Sequence, residues 1–573
     1  MKGLAKYIRP QIGLILITLL IKFFGSYADL WIPTLMETML DEKVPAGEPR
    51  GIYLYGGLMI LCALLCVVLN FSANAISAFS AGKITKNIRH DLFAKLQKLS
   101  ARQMDELTIP SAESRLTSDT YHVNNVLTRI QRMGIRAPIL LIGGLIMLFD
   151  MDAKLALVMV GLLPFITLTV VFVSKKSLPL YTQQQTVLDK VVRVMQENIT
   201  GIRVTKALSK TEYEKDRFEG VNGELCEVSQ KAGIVTGITG PVTSTVLQIG
   251  LILVVVVGAY RVNGGAIKPG VIIAALQYFT MITTAMSGIT RIFIMWSRGE
   301  ASARRISQVL ELEEDMAVEK NREEAPEAPP HIEFRDVSFS YTGVGRNIEN
   351  LSFSLEKGQT LGILGATGSG KSTVLNLLMR LYDVDEGHIF IDGQDIKTIP
   401  YDKLRSKFGI VFQNDFITEG TIGHNIRFFR DIPDEKVEKA ARCAQAEFIA
   451  EKEGGMDAQV VVRGNNLSGG QKQRLLIARA LAGDPEILVL DDASSALDYK
   501  TDSQLRKALR ENYRATTTVL VTQRVSSLCH ADLILMLHDG CVIGMGKHAE
   551  LMESCEEYRS IAQAQMGDGR EVS

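Results

Sequence analysis

Six stretches of this chain are long and apolar enough to cross a lipid bilayer, and all of them end by Trp296. A span needs about 20 mostly apolar residues in helical form, because a backbone amide or carbonyl left unpaired in lipid costs several kcal/mol. The stretches run approximately Gln11 to Met36, Tyr53 to Ala81, Arg136 to Asp150, Ala153 to Val173, Ile234 to Arg261 and Pro269 to Trp296. The third is short and shares the tight link Met151-Asp152 with the fourth, which predicts a helical hairpin turning at the far membrane face. Lys2, Lys6 and Arg9 precede the first stretch as they would in a signal peptide. No convincing small-residue cleavage site follows them, so a retained first helix is expected.

The mean hydropathy of +0.12 averages two unlike halves. Beyond Trp296 the chain reads as an ordinary charged, soluble domain. The segment between spans two and three carries Lys83, Lys86, Arg89, Lys95, Lys98, Arg102, Arg115, Arg129 and Arg132, whereas Met151-Asp152 carries no cation. Cation bias marks the cytosolic side, so both termini are expected in the cytosol and the chain in the plasma membrane. Long stretches at 82–135 and 174–233 have helical periodicity and few breakers, and should extend the spans beyond the bilayer as rods. Polar groups inside spans are candidate functional sites: Lys22, Asp29, Gln248 and Arg291. Lys22 and Asp29 are seven apart on one helix face, so mutual pairing or snorkelling explains them as well as substrate contact does.

A net charge of -1, with no basic run, excludes a nucleic-acid footprint. Of the seven cysteines only Cys62 and Cys66 lie close together, at helical rather than zinc-binding spacing, and free core thiols are expected.

In the second half an apolar strand, Thr360 to Leu364, runs into Gly365-Ala366-Thr367-Gly368-Ser369-Gly370-Lys371-Ser372 and then an apolar helix from about Thr373. This is a complete P-loop in its required strand-to-helix context. Its glycines let the backbone curl around phosphate, Lys371 neutralises the β/γ oxygens and Ser372 ligates Mg²⁺. Ile487 to Asp491 is a buried-strand pattern ending in a carboxylate, as needed to hold the same Mg²⁺. Between them Leu467-Ser468-Gly469-Gly470-Gln471 opens a helix whose first amides form another anion site.

These residues resemble the Walker A, Walker B and signature motifs of the ATP-binding-cassette (ABC) proteins, in particular multidrug-exporter-like half-transporters. The resemblance covers most of the chain. It implies a six-helix transmembrane domain of the type I/IV exporter fold over 1–310, a linker at 311–330 and an α/β P-loop nucleotide-binding domain over 331–573. Tyr341 resembles the aromatic that stacks on adenine, Gln413 the Q-loop glutamine that also reaches Mg²⁺, and Ser495 to Asp498 the D-loop. Glu113 to Asp119 and Gly201 to Ala207 are similar to segments near the two coupling helices. By the same analogy ATP lies between one chain's P-loop (365–373) and the signature (Ser468, Gly469, Gly470, Gln471) of a second chain. One P-loop, one signature and one set of six spans make a half-transporter.

The chain departs from the family pattern at two places. A glutamate that positions the attacking water is replaced by Asp492, and a switch histidine by Gln523. Aspartate withdraws the carboxylate by about 1.5 Å on an unchanged backbone, and a misplacement near 1 Å can cost about a hundredfold. Glutamine donates a hydrogen bond but carries no positive charge. Accommodation by a small backbone shift, with Gln mimicking one ring nitrogen, is the structural alternative. The expectation is a degenerate site that binds ATP but hydrolyses it slowly, in a heterodimer whose partner supplies the competent site. The expected activity is ATP-driven export of a small amphipathic substrate. A lipid flippase or importer of the same fold, or a gated channel or regulatory ATP sensor, are the alternatives.

Overall fold

The structure, a computed structural model, describes residues 2–313, 315–319, 328–413 and 416–566. Part of the expected linker, 320–327, lies outside them, as does the side chain of Arg291. The chain divides into one unit of Met1–Gln97 with Pro110–Leu312 and a second of Lys98–Ile109 with Glu313–Ser573.

The first unit is helical: α1 (Ile12–Thr38), α2 (Pro49–Leu96), then, beyond the short α3 (Ala101–Leu107) that belongs to the second unit, α4 (Thr120–Met133), α5 (Arg136–Met151), α6 (Ala153–Ala207), α7 (Thr211–Gly237), α8 (Thr239–Asn263) and α9 (Pro269–Leu310). Among the described residues five helical stretches are long and apolar enough to span a membrane, and α6 begins with a shorter apolar part, Ala153–Phe165. The expected rods are present: α2 has 48 residues and α6 has 55, far more than a bilayer needs. The fifth stretch carries a one-residue interruption at Ile238 between α7 and α8, where the backbone stays helical at φ −64° and ψ −29°.

Large apolar side chains on α2, among them Leu61, Val67 and Phe71, are exposed, as lipid contact requires. The packed side of the bundle gathers Leu148, Leu155, Met159, Val254, Phe279 and Ile282 from α5, α6, α8 and α9. Gly250 permits this approach, since a Cβ there would stand 2.1 Å from Phe279 Cζ. The expected hairpin turn is built by Asp152, whose Oδ1 accepts from the amides of Lys154 and Leu155 at 2.9 and 3.0 Å. Its Oδ2 accepts from Arg261 Nε at 3.0 Å, tying the end of α8 to the start of α6.

The polar residues of the spans find other partners than the sequence suggests. Lys22 donates to Asn70 Oδ1 at 2.8 Å and not to Asp29. Asp29 accepts from Cys66 Sγ at 2.8 Å and from Arg136 at 3.0 Å. Seven residues, about two turns, put Lys22 and Asp29 on one face, but that face meets α2 and α5 first. All seven cysteines are free, with Cys443 and Cys555 buried and Cys226 exposed rather than in a core.

The second unit is α/β. An antiparallel sheet places β1 (Ile332–Phe339) between β2 (Ile348–Leu355) and β4 (Glu386–Ile391), with β5 (Gln394–Asp395) outside β4. A six-stranded sheet contains β3 (Thr360–Gly365), β6 (Phe408–Val411), β7 (Ile487–Asp491), β8 (Thr517–Val521), β9 (Leu533–His538) and β10 (Cys541–Gly546) in the order β10-β9-β3-β8-β7-β6. All neighbours are parallel except β10. Both faces are covered: Ile487 and Val489 point into one core, Leu488 and Leu490 into another, so the strand reads as one unbroken apolar run.

This topology decides where ligands can go. β8 lies between β3 and β7, and Val521 stands opposite both Ile363 and Asp491. The carboxyl ends of three parallel strands therefore open side by side, which is where α/β sheets bind ligands. The helices α10 (Lys371–Leu378), α11 (Gly469–Leu481), α12 (Tyr499–Asn512) and α13 (Glu556–Met566) surround the sheet.

Candidate nucleotide site

The loop between β3 and α10 curls because Gly368 and Gly370 adopt φ of +87° and +100°, a region closed to most side chains. A Cβ at Gly370 would stand 2.7 Å from Ile348 Cδ1 and 2.8 Å from the Asn347 carbonyl oxygen. Lys371 Nζ donates to the carbonyls of Gly365 and Ala366 at 2.9 and 2.7 Å, which holds the ammonium over its own loop. Ser372 Oγ donates to Asp491 Oδ2 at 3.1 Å, joining the ends of β3 and β7.

A cavity of about 320 Å³ opens on these groups. Of the residues singled out in the sequence, Thr367, Gly368, Gly370, Lys371, Ser372, Thr373, Gln413, Asp491, Asp492 and Gln523 line it. Ser369 is buried beneath the loop and Gly365 ends β3 behind it. Tyr341 stands at the flank, edge-on to Phe339 and Tyr382, with its hydroxyl 3.4 Å from Thr373 Oγ1. Two expected groups lie elsewhere. Asp498 caps α12, accepting from the Thr501 amide at 2.8 Å. Ser468 caps α11, with Gln471 returning the bond to its amide at 3.0 Å, and no residue of 468–471 lines the cavity.

Burial dominates the electrostatics. It raises both Asp491 and Asp492 above the ordinary carboxylate range, against the opposing attraction of Lys371 and, for Asp492, of Arg524. It lowers Lys371 despite the two carboxylates. A site of this kind favours a ligand that balances its charges.

Among the described residues no three His, Cys, Asp or Glu side chains come together. Ser372, Asp491 and Gln413 instead offer a partial set of oxygen donors facing the cavity. That set fits Mg²⁺, which is bound through one or two carboxylates plus waters and substrate phosphates rather than by a full protein cage.

Sequence reasoning missed four supporting residues. Asn347 lines the cavity and accepts from the Tyr341 amide at 3.0 Å. Arg524 donates to the carbonyls of Ser495 and Leu497 at 3.2 and 3.4 Å, fastening the loop after β7. Gln473 does the same from α11, bonded to Ser495 Oγ and the Ala496 amide at 2.9 Å each. Gln565, at the end of α13, donates to the Gln523 carbonyl at 2.7 Å and accepts from the Val525 amide at 2.8 Å. Gln473 lies inside the helix opened by the signature, a position the sequence marks without a role; the others sit in no recognisable pattern.

A bundle of membrane-length helices in one chain with a P-loop domain of this topology defines an ATP-driven membrane transporter. Residues 15–286 match the ABC transporter transmembrane region and residues 348–495 match the ABC transporter family. The ABC transporter ATP-binding protein YfiB of Bacillus subtilis is 34% identical over 99% of both chains. An ATP-dependent lipid A-core flippase of Vibrio vulnificus is 28% identical over 99% of this chain and 98% of that protein. A bacterial Atm1-family ABC exporter solved with ATP bound shares the fold, with a TM-score of 0.81 over 98% of this chain and 99% of that one at 23% identity. The chain belongs to the ABC transporter family: a helical transmembrane domain followed by a nucleotide-binding domain, an ATPase coupled to transport.

Proposed function

We propose that this chain is one subunit of a heterodimeric exporter that moves an amphipathic compound, drug-like in size, out across the plasma membrane. It retains ATP at a degenerate site and completes the competent site of a second half-transporter with its own signature. One observation carries the reading. The cavity at the P-loop presents Asp492 and Gln523 where water activation and γ-phosphate sensing are needed, and the chain's own signature does not reach it. In this reading the transmembrane domain is 1–310, the linker 311–330 and the nucleotide-binding domain 331–573, with both termini cytosolic.

Each residue then has a role. The amides of Thr367 to Lys371 cradle the β- and γ-phosphates, with the Lys371 ammonium leaving its loop carbonyls to meet them. Tyr341 receives the adenine. Ser372, Asp491 and Gln413 hold Mg²⁺, which would neutralise phosphate charge when bound. Asp492 and Gln523 hold a water and the γ-phosphate too loosely for rapid attack, so ATP remains as a staple between the chains. Ser468 and Gly470 meet the partner's nucleotide, and Asp498 orders the loop beside it through α12.

The test is hydrolysis by the full chain in liposomes, alone and with the half-transporter encoded beside it. Slow turnover alone and vanadate-sensitive turnover in the pair are expected. Rapid vanadate-sensitive turnover by the lone chain overturns the proposal. A lipid flippase is the second reading, supported by the flippase named among the relatives. Movement of a labelled lipid between leaflets in the same liposomes distinguishes it.

A further inference from the structure

We propose that Arg136 is the head-group receptor of a substrate site inside the membrane domain, selective for amphiphiles with an anionic, phosphate-like head. The inference rests on the reading that the cargo is amphipathic and adds which kind. Arg136 precedes the hairpin turn at Asp152 by about 24 Å of helix, which places it about one helical turn inside the opposite edge of a hydrocarbon core about 30 Å thick. A charge inside the core carries a cost that falls when it is matched or used.

It is matched only in part. Asp29 Oδ2 accepts from Arg136 Nη2 at 3.0 Å, and Asp29 Oδ1 accepts from Cys66 Sγ at 2.8 Å, so both carboxylate oxygens are engaged. The Asp29 side chain is 16% exposed, that of Arg136 40%. A guanidinium carries five N–H donors, and among the described residues Arg136 spends one, on Asp29. Two further cations stand near: Lys22, whose partner is the neutral Asn70, and Arg132, which donates to the Asn74 carbonyl. The surroundings of Asp29 therefore hold more positive than negative charge, and the unspent donors belong to the more exposed member of the pair.

Those donors face a cavity of about 310 Å³ lined by the apolar Ile32, Pro33, Leu140 and Met281 and by the polar Asp29, Arg136, Gln277, Thr280 and Thr284. The last three lie on one face of α9. The hydroxyls of Thr280 and Thr284 donate to carbonyls one turn back, at 2.9 Å each, and can rotate to a ligand at little cost. Gln277, Thr280 and Met281 also line a second, apolar cavity of about 730 Å³, walled by Leu251, Ile252, Val255 and Ile273. A mixed chamber with an underused guanidinium, sharing a wall with an apolar one, has the shape of an amphiphile: the head at Arg136, the chain along α8 and α9.

All of these residues belong to one chain, so binding is measurable without the partner. The full chain in nanodiscs is titrated calorimetrically with dodecyl phosphate, dodecyltrimethylammonium and inorganic phosphate, with empty nanodiscs subtracted. Dodecyl phosphate is expected to bind at least about tenfold more tightly than the cationic analogue, as one charge-assisted hydrogen bond implies. The double variant Arg136→Gln/Asp29→Asn, which keeps the local charge balance and leaves Lys22 and Arg132 in place, is expected to lose most of that preference, and Asp29→Asn alone to favour the anion further. Inorganic phosphate is expected not to compete. Equal binding of both amphiphiles by the natural chain, a preference that survives undiminished in the double variant, or phosphate binding as tightly without its chain overturns the head-group assignment alone. Failure of either amphiphile to saturate the natural chain overturns the amphipathic-cargo reading and this site with it.

Discussion

At Asp492 the backbone φ is +51°, a left-handed conformation that aspartate tolerates better than most side chains. The Asp492 amide is held to the Val521 carbonyl at 2.9 Å, so this turn is closed onto β8. A backbone shift that made up for the missing methylene would break that bond, which weighs against the structural alternative. Asp492→Glu with Gln523→His is therefore expected to raise vanadate-sensitive phosphate release by the lone chain about tenfold or more, each single change giving less. Burial has a second consequence at the same residue. With its folded pKa above the ordinary carboxylate value of about 3.9, Asp492 binds a proton that the unfolded chain has released. Its contribution to stability is complete below about 3.9 and is lost as pH rises through the folded value. Asp492→Asn removes that loss. Thermal unfolding of the nucleotide-free chain is expected to show a higher midpoint for the variant at pH 7 and a shrinking difference toward pH 4.

At the scale of elements, the end of α13 grips the segment after β8 through a single side chain. Gln565 bonds both sides of Gln523, at the carbonyl of that residue and the amide of Val525. If Gln523 meets the γ-phosphate, loosening this grip costs affinity for ATP but not for ADP. Gln565→Ala is expected to lower the ratio of ATP to ADP affinity about threefold to tenfold, with the unfolding midpoint nearly unchanged, as loss of about one hydrogen bond predicts. Equilibrium binding of the two nucleotides checks it. In the membrane unit Asp152→Ala removes an N-cap worth about 1 kcal/mol and leaves Arg261 without its carboxylate; a lower unfolding midpoint in detergent is expected. Such features also mark what the sequence could disclose. The P-loop, the strand ending at Asp491, the apolar stretches and the turn at Met151-Asp152 are contiguous, so their chemistry is visible in the order of residues. The grip of Gln565 joins positions 42 apart, and the contacts of Asp29 join positions 37 and 107 apart. No local pattern announces such partners, because adjacency is created by packing. The interruption at Ile238 is marked locally by Gly237, Gly240 and Pro241, a signal that the length of the apolar run concealed.

For the whole molecule, the separation of P-loop and signature within one chain is what the proposed assembly rests on. Ser468 caps α11 away from the cavity that Lys371 and Ser372 line, so its amides have no phosphate of their own chain to meet. In an asymmetric pair the two motifs of this chain then serve different nucleotides, and damage to them should separate. Ser468→Arg places bulk and charge where the partner's ATP would lie: hydrolysis by the pair is expected to fall more than about a hundredfold, while ATP retained at this chain's P-loop stays. Lys371→Ala removes the cation that meets the phosphates here: retained ATP is expected to be lost, with hydrolysis by the pair slowed but not abolished, since the reacting site has its own P-loop. Measuring bound ATP and released phosphate on the same preparations reads both. A pair of equivalent sites predicts instead that either variant depresses both quantities together, because each site would then hold and hydrolyse its own nucleotide.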